Sequence, residues 1–204
     1  MMNTRKHPLT MEFALLGILR RQPMHGYDIM KFVDRHLSGI WHISTSQLYA
    51  LNHRLEERGL VSGSTSPQGN QPPKRTLSIL PEGRKRFMRW VVSPTPHVRD
   101  LRMEFLTKLF FLRHLGIKGG RELIDAQAEL LKSLKEKVEQ DWGAQEDGFA
   151  KVVLGFKRAQ FEIILSWLGA DAVQFVEAID SCGPDELPGL EAYPEESAWR
   201  EKQG

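Results

Sequence analysis

Between residues 44 and 58 the chain reads STSQLYALNHRLEER, and its side chains carry the donors and acceptors needed to read a base edge or hold a phosphate. At about 100° per residue, Leu48, Leu51 and Leu55 fall on one face of a helix, and Ser46, Ala50, His53 and Glu57 on the other, flanked by Gln47, Tyr49 and Arg54. Gln47 can donate and accept together at an adenine edge, and Ser46 and His53 suit base edges or phosphates. Tyr49, Arg54 and, further along, Lys74 and Arg75 suit phosphates, and Ser44 at the helix start is counted with these DNA-binding residues. Tyr49 has a second reading, with its ring packed on the following strands and only its hydroxyl exposed. His25 and Tyr27 can touch a phosphate or simply pack or cap a turn. Catalytic chemistry finds little support: His25, His36, His42 and His53 lack zinc-ligand spacing, and no nucleophile elbow, P-loop or dinucleotide fingerprint occurs. The expectation is a non-enzyme with no cofactor and no metal.

The elements that would position these residues can be read from periodicity. LTMEFALLGILRR, residues 9–21, is apolar on nearly every side and predicts a helix buried in a small core, ended by Gln22 and Pro23. HGYDIMKFVDRHLSG puts Ile29, Met30, Val33 and Leu37 opposite Lys31, Asp34 and Arg35. The third helix is specified at both ends. Ser44 and Gln47 have capping-box spacing, and Gly59 suits a left-handed position that returns Leu60 to Leu55. Residues 60–66 and 74–80 predict two strands around SPQGNQPP, and Pro81 opens a fourth helix that buries Phe87, Trp90 and Val91. Three helices, a two-stranded wing and a helix make a winged helix-turn-helix, a fold used for DNA or, in a second reading, for protein contacts.

SPTPH at 93–97 predicts a stiff boundary, dividing the chain into 1–93, a helical region 94–182 and an acidic, Pro-rich tail 183–204 expected to be disordered. Leu101, Phe105, Leu109 and Leu112 form one stripe. Ile124, Leu131, Leu134 and Val138 form a second on a helix of about 119–141, with Gln127 a polar exception. Phe149, Val153, Phe156, Gln160, Ile163 and Trp167 form a third, on a helix that can continue through AVQFVEAI. Such stripes build an intrachain core, a seam between two copies or a dock for another protein. The seam reading makes Ile124, Leu131, Leu134, Val138, Phe149, Val153, Phe156 and Trp167 dimerisation residues. Trp41, Trp90, Phe105 and Phe110 cluster about the boundary and line either an effector pocket or an ordinary interdomain core.

With 41% hydrophobic and 26% charged residues among 204, the composition is globular. The longest apolar run, LFFL at 109–112, is far short of a membrane span, and in RKHPLTMEFALLGIL the apolar stretch is broken by Glu12, unlike a secretory leader. A lone Cys182 forms no internal disulfide, so the cytoplasm is the expected compartment. The net charge of +2 divides into +8 over residues 1–93 and −6 over 94–204, which assigns a polyanion to the first part and some other surface to the second.

LLGILRRQPMHGYDI, STSQLYALNHRLEERGLV and LPEGR resemble the PadR family of bacterial transcriptional regulators, with its LxGxL run, HGYEI-like turn, S-x-x-x-LY recognition helix and R-L-x-x-x-GL exit. RMEFLTKLFF resembles the start of the C-terminal helical domain in the family's longer branch, which includes phenolic-acid-responsive repressors and a virulence activator. The resemblance implies a homodimer built on C-terminal helices. It also implies contacts to double-stranded DNA from the recognition helix and wing, and often control by a small molecule, which the boundary aromatics make a small aromatic effector; the symmetry of a dimer calls for a pseudo-palindromic operator. KRTLSILPEG departs from the pattern, with Leu77 at a Tyr position and Leu80 in place of a capping Thr. Repression is the expected sign of regulation, since occupancy alone suffices. The alternatives are an activator working with a partner factor and a winged-helix protein-interaction module.

Overall fold

The computed structural model describes residues 7–68 and 71–181, so Cys182 and the acidic tail lie outside the described residues. The chain begins with α1 (His7–Ile18), β1 (Met24–His25), α2 (Gly26–His36), α3 (Thr45–Glu57), β2 (Val61–Gln68), β3 (Gln71–Ile79) and α4 (Pro81–Val91). The wing has three strands rather than the two expected. β1 joins antiparallel to β3, pairing Met24 with Leu77 and His25 with Thr76, and the sheet order is β1-β3-β2. Two residues are too short to show an alternating pattern, so β1 has no signature of its own in the sequence.

α1 is apolar all round because α2, α3, α4 and α5 surround it. Its Gly17 is where two rings cross: a Cβ there would stand 2.7 Å from Phe87 and from Phe111, whose rings meet edge to face at 5.4 Å. In the wing, Val61, Leu77 and Ile79 are buried, so Leu77 at the Tyr position packs inward. Leu80 precedes α4 without a side-chain cap, and Pro81 in the first turn removes one of the donors that a cap would have served.

The helical region opens with a 3-10 turn at Val98–Asp100 and a π-helical turn at Leu101–Phe105, then α5 (Leu106–His114), α6 (Gly120–Ala144) and α7 (Gly148–Trp167). A π-helical turn, Leu168–Ala172, carries α7 into α8 (Val173–Ser181), as the sequence allowed. One apolar cluster runs from Ala14 to Val176, so both regions share a core. The connection at 93–97 is anchored at its middle, where Thr95 is fully buried, while Pro96 and His97 are exposed.

The proposed seam residues separate here. Ile124 and Leu131 are 2% and 0% exposed and have no surface left for a second copy, because α6 already lays this face on its own chain. Leu134, Val138 and Trp167 are half-buried against the same core, Trp167 edge-on to Phe105. Phe149, Val152, Phe156 and Ile163 are 77%, 67%, 64% and 70% exposed and lie on one side of α7, with Val153 at its margin. The uncovered stripe thus includes Val152, which the sequence pattern passed over for Val153.

Candidate nucleic-acid interface

α3 presents its polar face because both of its ends are fastened. Ser44 Oγ accepts from the N–H of Gln47 at 3.2 Å, and Gln47 Oε1 accepts from the N–H of Ser44 at 2.9 Å, completing the capping box. At the other end Gly59 has φ 62°, its N–H donates to Glu56 O, and the N–H of Leu60 donates to Leu55 O, closing a Schellman turn. Leu48, Leu51, Leu55 and also Asn52 are buried.

The cap modifies the role first assigned to Gln47. With Oε1 committed to Ser44, only its amide N–H₂ is free to point outward, so two-point recognition of adenine would require opening the cap. Ser46 is exposed, with Oγ 3.0 Å from Ser44 Oγ. Tyr49 is 66% exposed, which disposes of the reading in which only its hydroxyl shows. The His53 ring is exposed, its Nδ1 3.3 Å from Glu57 Oε1.

The cations are more constrained than the sequence suggests. Arg54 turns toward α1, donating from Nε to Glu12 Oε1 at 3.1 Å, and Arg58 donates from Nη1 to the other oxygen of that buried carboxylate at 2.6 Å. Arg75 donates to Glu56 at 2.6 Å, tying β3 to α3. Arg54 and Arg75 are therefore braces in the unbound chain and reach a phosphate only by leaving a carboxylate. Lys74 pairs with Ser66 in the β2–β3 ladder, and its side chain lies outside the described residues.

His25 ties the turn before α2 to the wing: Nδ1 donates to Arg75 O at 3.2 Å and lies 3.1 Å from Thr76 Oγ1. Tyr27 is 70% exposed beside Lys31, whose Nζ is 4.5 Å from the ring centre. Tyr27, Tyr49, His53 and Arg75 border a cleft of about 500 Å³ shared by α2, α3 and β3. Asp28 and Glu56 also line it, so it is a mixed surface and not a cationic trough. Asn52 sits in its wall, with Oδ1 buried and unpaired. The sequence reading missed Asn52, although its place four residues after Leu48 marks the buried flank.

The aromatics at the boundary are spread over different neighbours. Trp41 Nε1 donates to Thr107 Oγ1 at 3.1 Å, and Trp90 stacks on Phe13 at 4.9 Å. Phe105 meets Trp167, and Phe110 stacks on His114 at 5.2 Å. This is the arrangement of a filled interdomain core. Among the described residues no helix is long and apolar enough to cross a membrane, and no group of three or more His, Cys, Asp or Glu is placed to hold a metal.

A capped third helix, polar outward and braced by a three-stranded wing, defines a winged helix-turn-helix protein. Residues 15–89 match the model of the transcriptional regulator PadR-like family. It is similar to the negative transcriptional regulator PadR of Bacillus subtilis (strain 168), 25% identical over 119 residues, 58% of this chain and 65% of that protein. It is also similar to the probable transcriptional regulator Rv1176c of Mycobacterium tuberculosis (strain ATCC 25618 / H37Rv), 27% identical over 99 residues, 48% of this chain and 52% of that one. The chain thus spans less than two thirds of the length of either relative. A crystal structure of Bacillus subtilis PadR in complex with operator DNA shares 21% identity, with a TM-score of 0.42 over 81% of this chain and 98% of that one.

Proposed function

We propose that the protein is a homodimeric, sequence-specific DNA-binding regulator of transcription, not an enzyme, acting in the cytoplasm as a repressor that blocks a promoter by occupying it. The observation that carries this reading is α3, whose buried leucines, capping box and Schellman turn hold Ser46 and Tyr49 outward at the N-terminal half, the part that enters a major groove, with His53 outward one turn further on. Ser44 and Gln47 set the helix start, Tyr27 and Tyr49 supply hydroxyls for phosphates, Lys74 adds charge, and Arg75 and Arg54 add more once DNA competes with Glu56 and Glu12 for them. Two-fold pairing through the exposed stripe of α7 covers Phe149, Val152, Phe156 and Ile163, a patch too apolar to leave in water.

Release by a small, flat aromatic ligand belongs to the same proposal and is supported by the family tie. Because Trp41, Trp90, Phe105 and Phe110 pack on protein, such a ligand has to part the boundary core, and that links its binding to the angle between the two regions. Titration with planar phenolic compounds, followed by Trp emission and by DNA release, reads this directly. Retention of random duplexes at two salt concentrations, with the retained fragments sequenced, tests the main reading. A recurring two-fold symmetric site supports it, and absence of salt-dependent affinity for any duplex leaves the protein-interaction module.

A further inference from the structure

Lys108 on α5 and Gln127 on α6 are both fully buried, and neither belongs to the face that reads DNA. Gln127 Oε1 accepts from the N–H of Thr95 at 2.6 Å and its Nε2 donates to Thr95 O at 3.1 Å. One side-chain amide therefore satisfies both backbone groups of a residue in the connection between the winged helix and the helical region. Lys108 Nζ donates to Ser93 O at 2.8 Å, to Thr95 Oγ1 at 3.1 Å and to Glu104 Oε1 at 2.7 Å, and lies 5.2 Å from the centre of the Trp90 ring. Thr95 Oγ1 donates in turn to Glu104 Oε1 at 3.2 Å. Burial pushes the Lys108 ammonium below its usual range, against the pull of Glu104.

Apolar packing between the two regions is non-directional and tolerates sliding, whereas this network is satisfied in one arrangement. A fully buried lysine paired with a half-buried carboxylate is rarely the most stable filling for its volume, so its use here points to geometry. We propose that Lys108 and Gln127 are positioning residues that fix the angle between the winged helix and the C-terminal helices. In the dimer they thereby fix the half-site spacing that the protein accepts. The second statement rests on the DNA-binding reading above.

Gln127→Met and the pair Lys108→Met with Glu104→Gln remove the network at nearly constant volume, and Thr95→Val removes only the hydroxyl bonds. Each variant is offered duplexes with half-sites at varied separation. Spin labels at Asp34 and Ser166, on chain diluted with unlabelled protein, give the distance between regions. The proposal expects the base preference within a half-site to persist, the preference for one spacing to fall about tenfold and the distance distribution to broaden. Folded variants with the wild-type spacing profile and a narrow distance would overturn it. If the larger changes prevent folding, Thr95→Val decides by the same two readouts. Wild-type protein that retains no duplex refutes the DNA-binding reading alone, and the distance distributions still decide the positioning role.

Discussion

At the scale of single residues, Gln47 has two uses that one substitution can separate. Gln47→Glu keeps an acceptor for the N–H of Ser44, so the thermal midpoint should hold, while loss of the outward N–H₂ should change base preference at one position per half-site by about 1 to 3 kcal/mol. Ser44→Ala should instead cost about 1 kcal/mol of stability, read by urea unfolding. Glu12 holds two arginines away from any phosphate. Glu12→Gln should release them, and the slope of log affinity against log salt should steepen by about one to two; an unchanged slope would leave Arg54 and Arg58 out of DNA binding. Ser44, Gln47 and Gly59 were legible in sequence because caps follow from residue type and spacing alone. The pairings of Arg54 and Arg75 were not, since their partners Glu12 and Glu56 lie 42 and 19 residues away in the chain.

Among the elements, α3 and α4 were foreseen nearly to their ends, because each combines an apolar stripe with a terminal signal. α6 and α7 were foreseen as helices, but it was not foreseen that the α6 stripe would be covered by its own chain and the α7 stripe left exposed on it. An apolar stripe records that a face is buried and says nothing of whose chain buries it. Two substitutions make the distinction measurable. Leu131→Glu puts a charge in the chain's own core and should abolish folding. Phe156→Glu changes a side chain exposed in the single chain and should leave a folded monomer in sedimentation, with operator affinity reduced by about a hundredfold or more as the second half-site is lost. A Phe156→Glu protein that remains dimeric would place the seam elsewhere.

In the whole molecule, the winged helix and the described helical region share one apolar core, where composition suggested two units joined at SPTPH. At Thr95, in the middle of that sequence, the bonds from Lys108 and Gln127 come from 13 and 32 residues away and leave no local mark. A pH response is expected where the end of α5 meets α2. His114 is buried between the regions, and its pKa is lowered to about 4 by burial first and then by Arg21 and His36. The unfolded chain takes up this proton at higher pH than the folded one, so stability is full above about pH 6.5. It should fall as pH drops toward about 4, by up to about 3 kcal/mol, and this loss should be smaller in His114→Gln.

The central claim is that α3 is the part of the molecule that meets DNA, and photo-crosslinking tests it most directly. A photo-reactive amino acid replaces Ser46 in one protein and Lys157, on α7, in another, each bound to the duplex selected by the wild type. Crosslinks from position 46 to bases inside a half-site, with none from position 157, are the predicted result. A duplex held tightly but crosslinked from position 157 and not from 46 would contradict it.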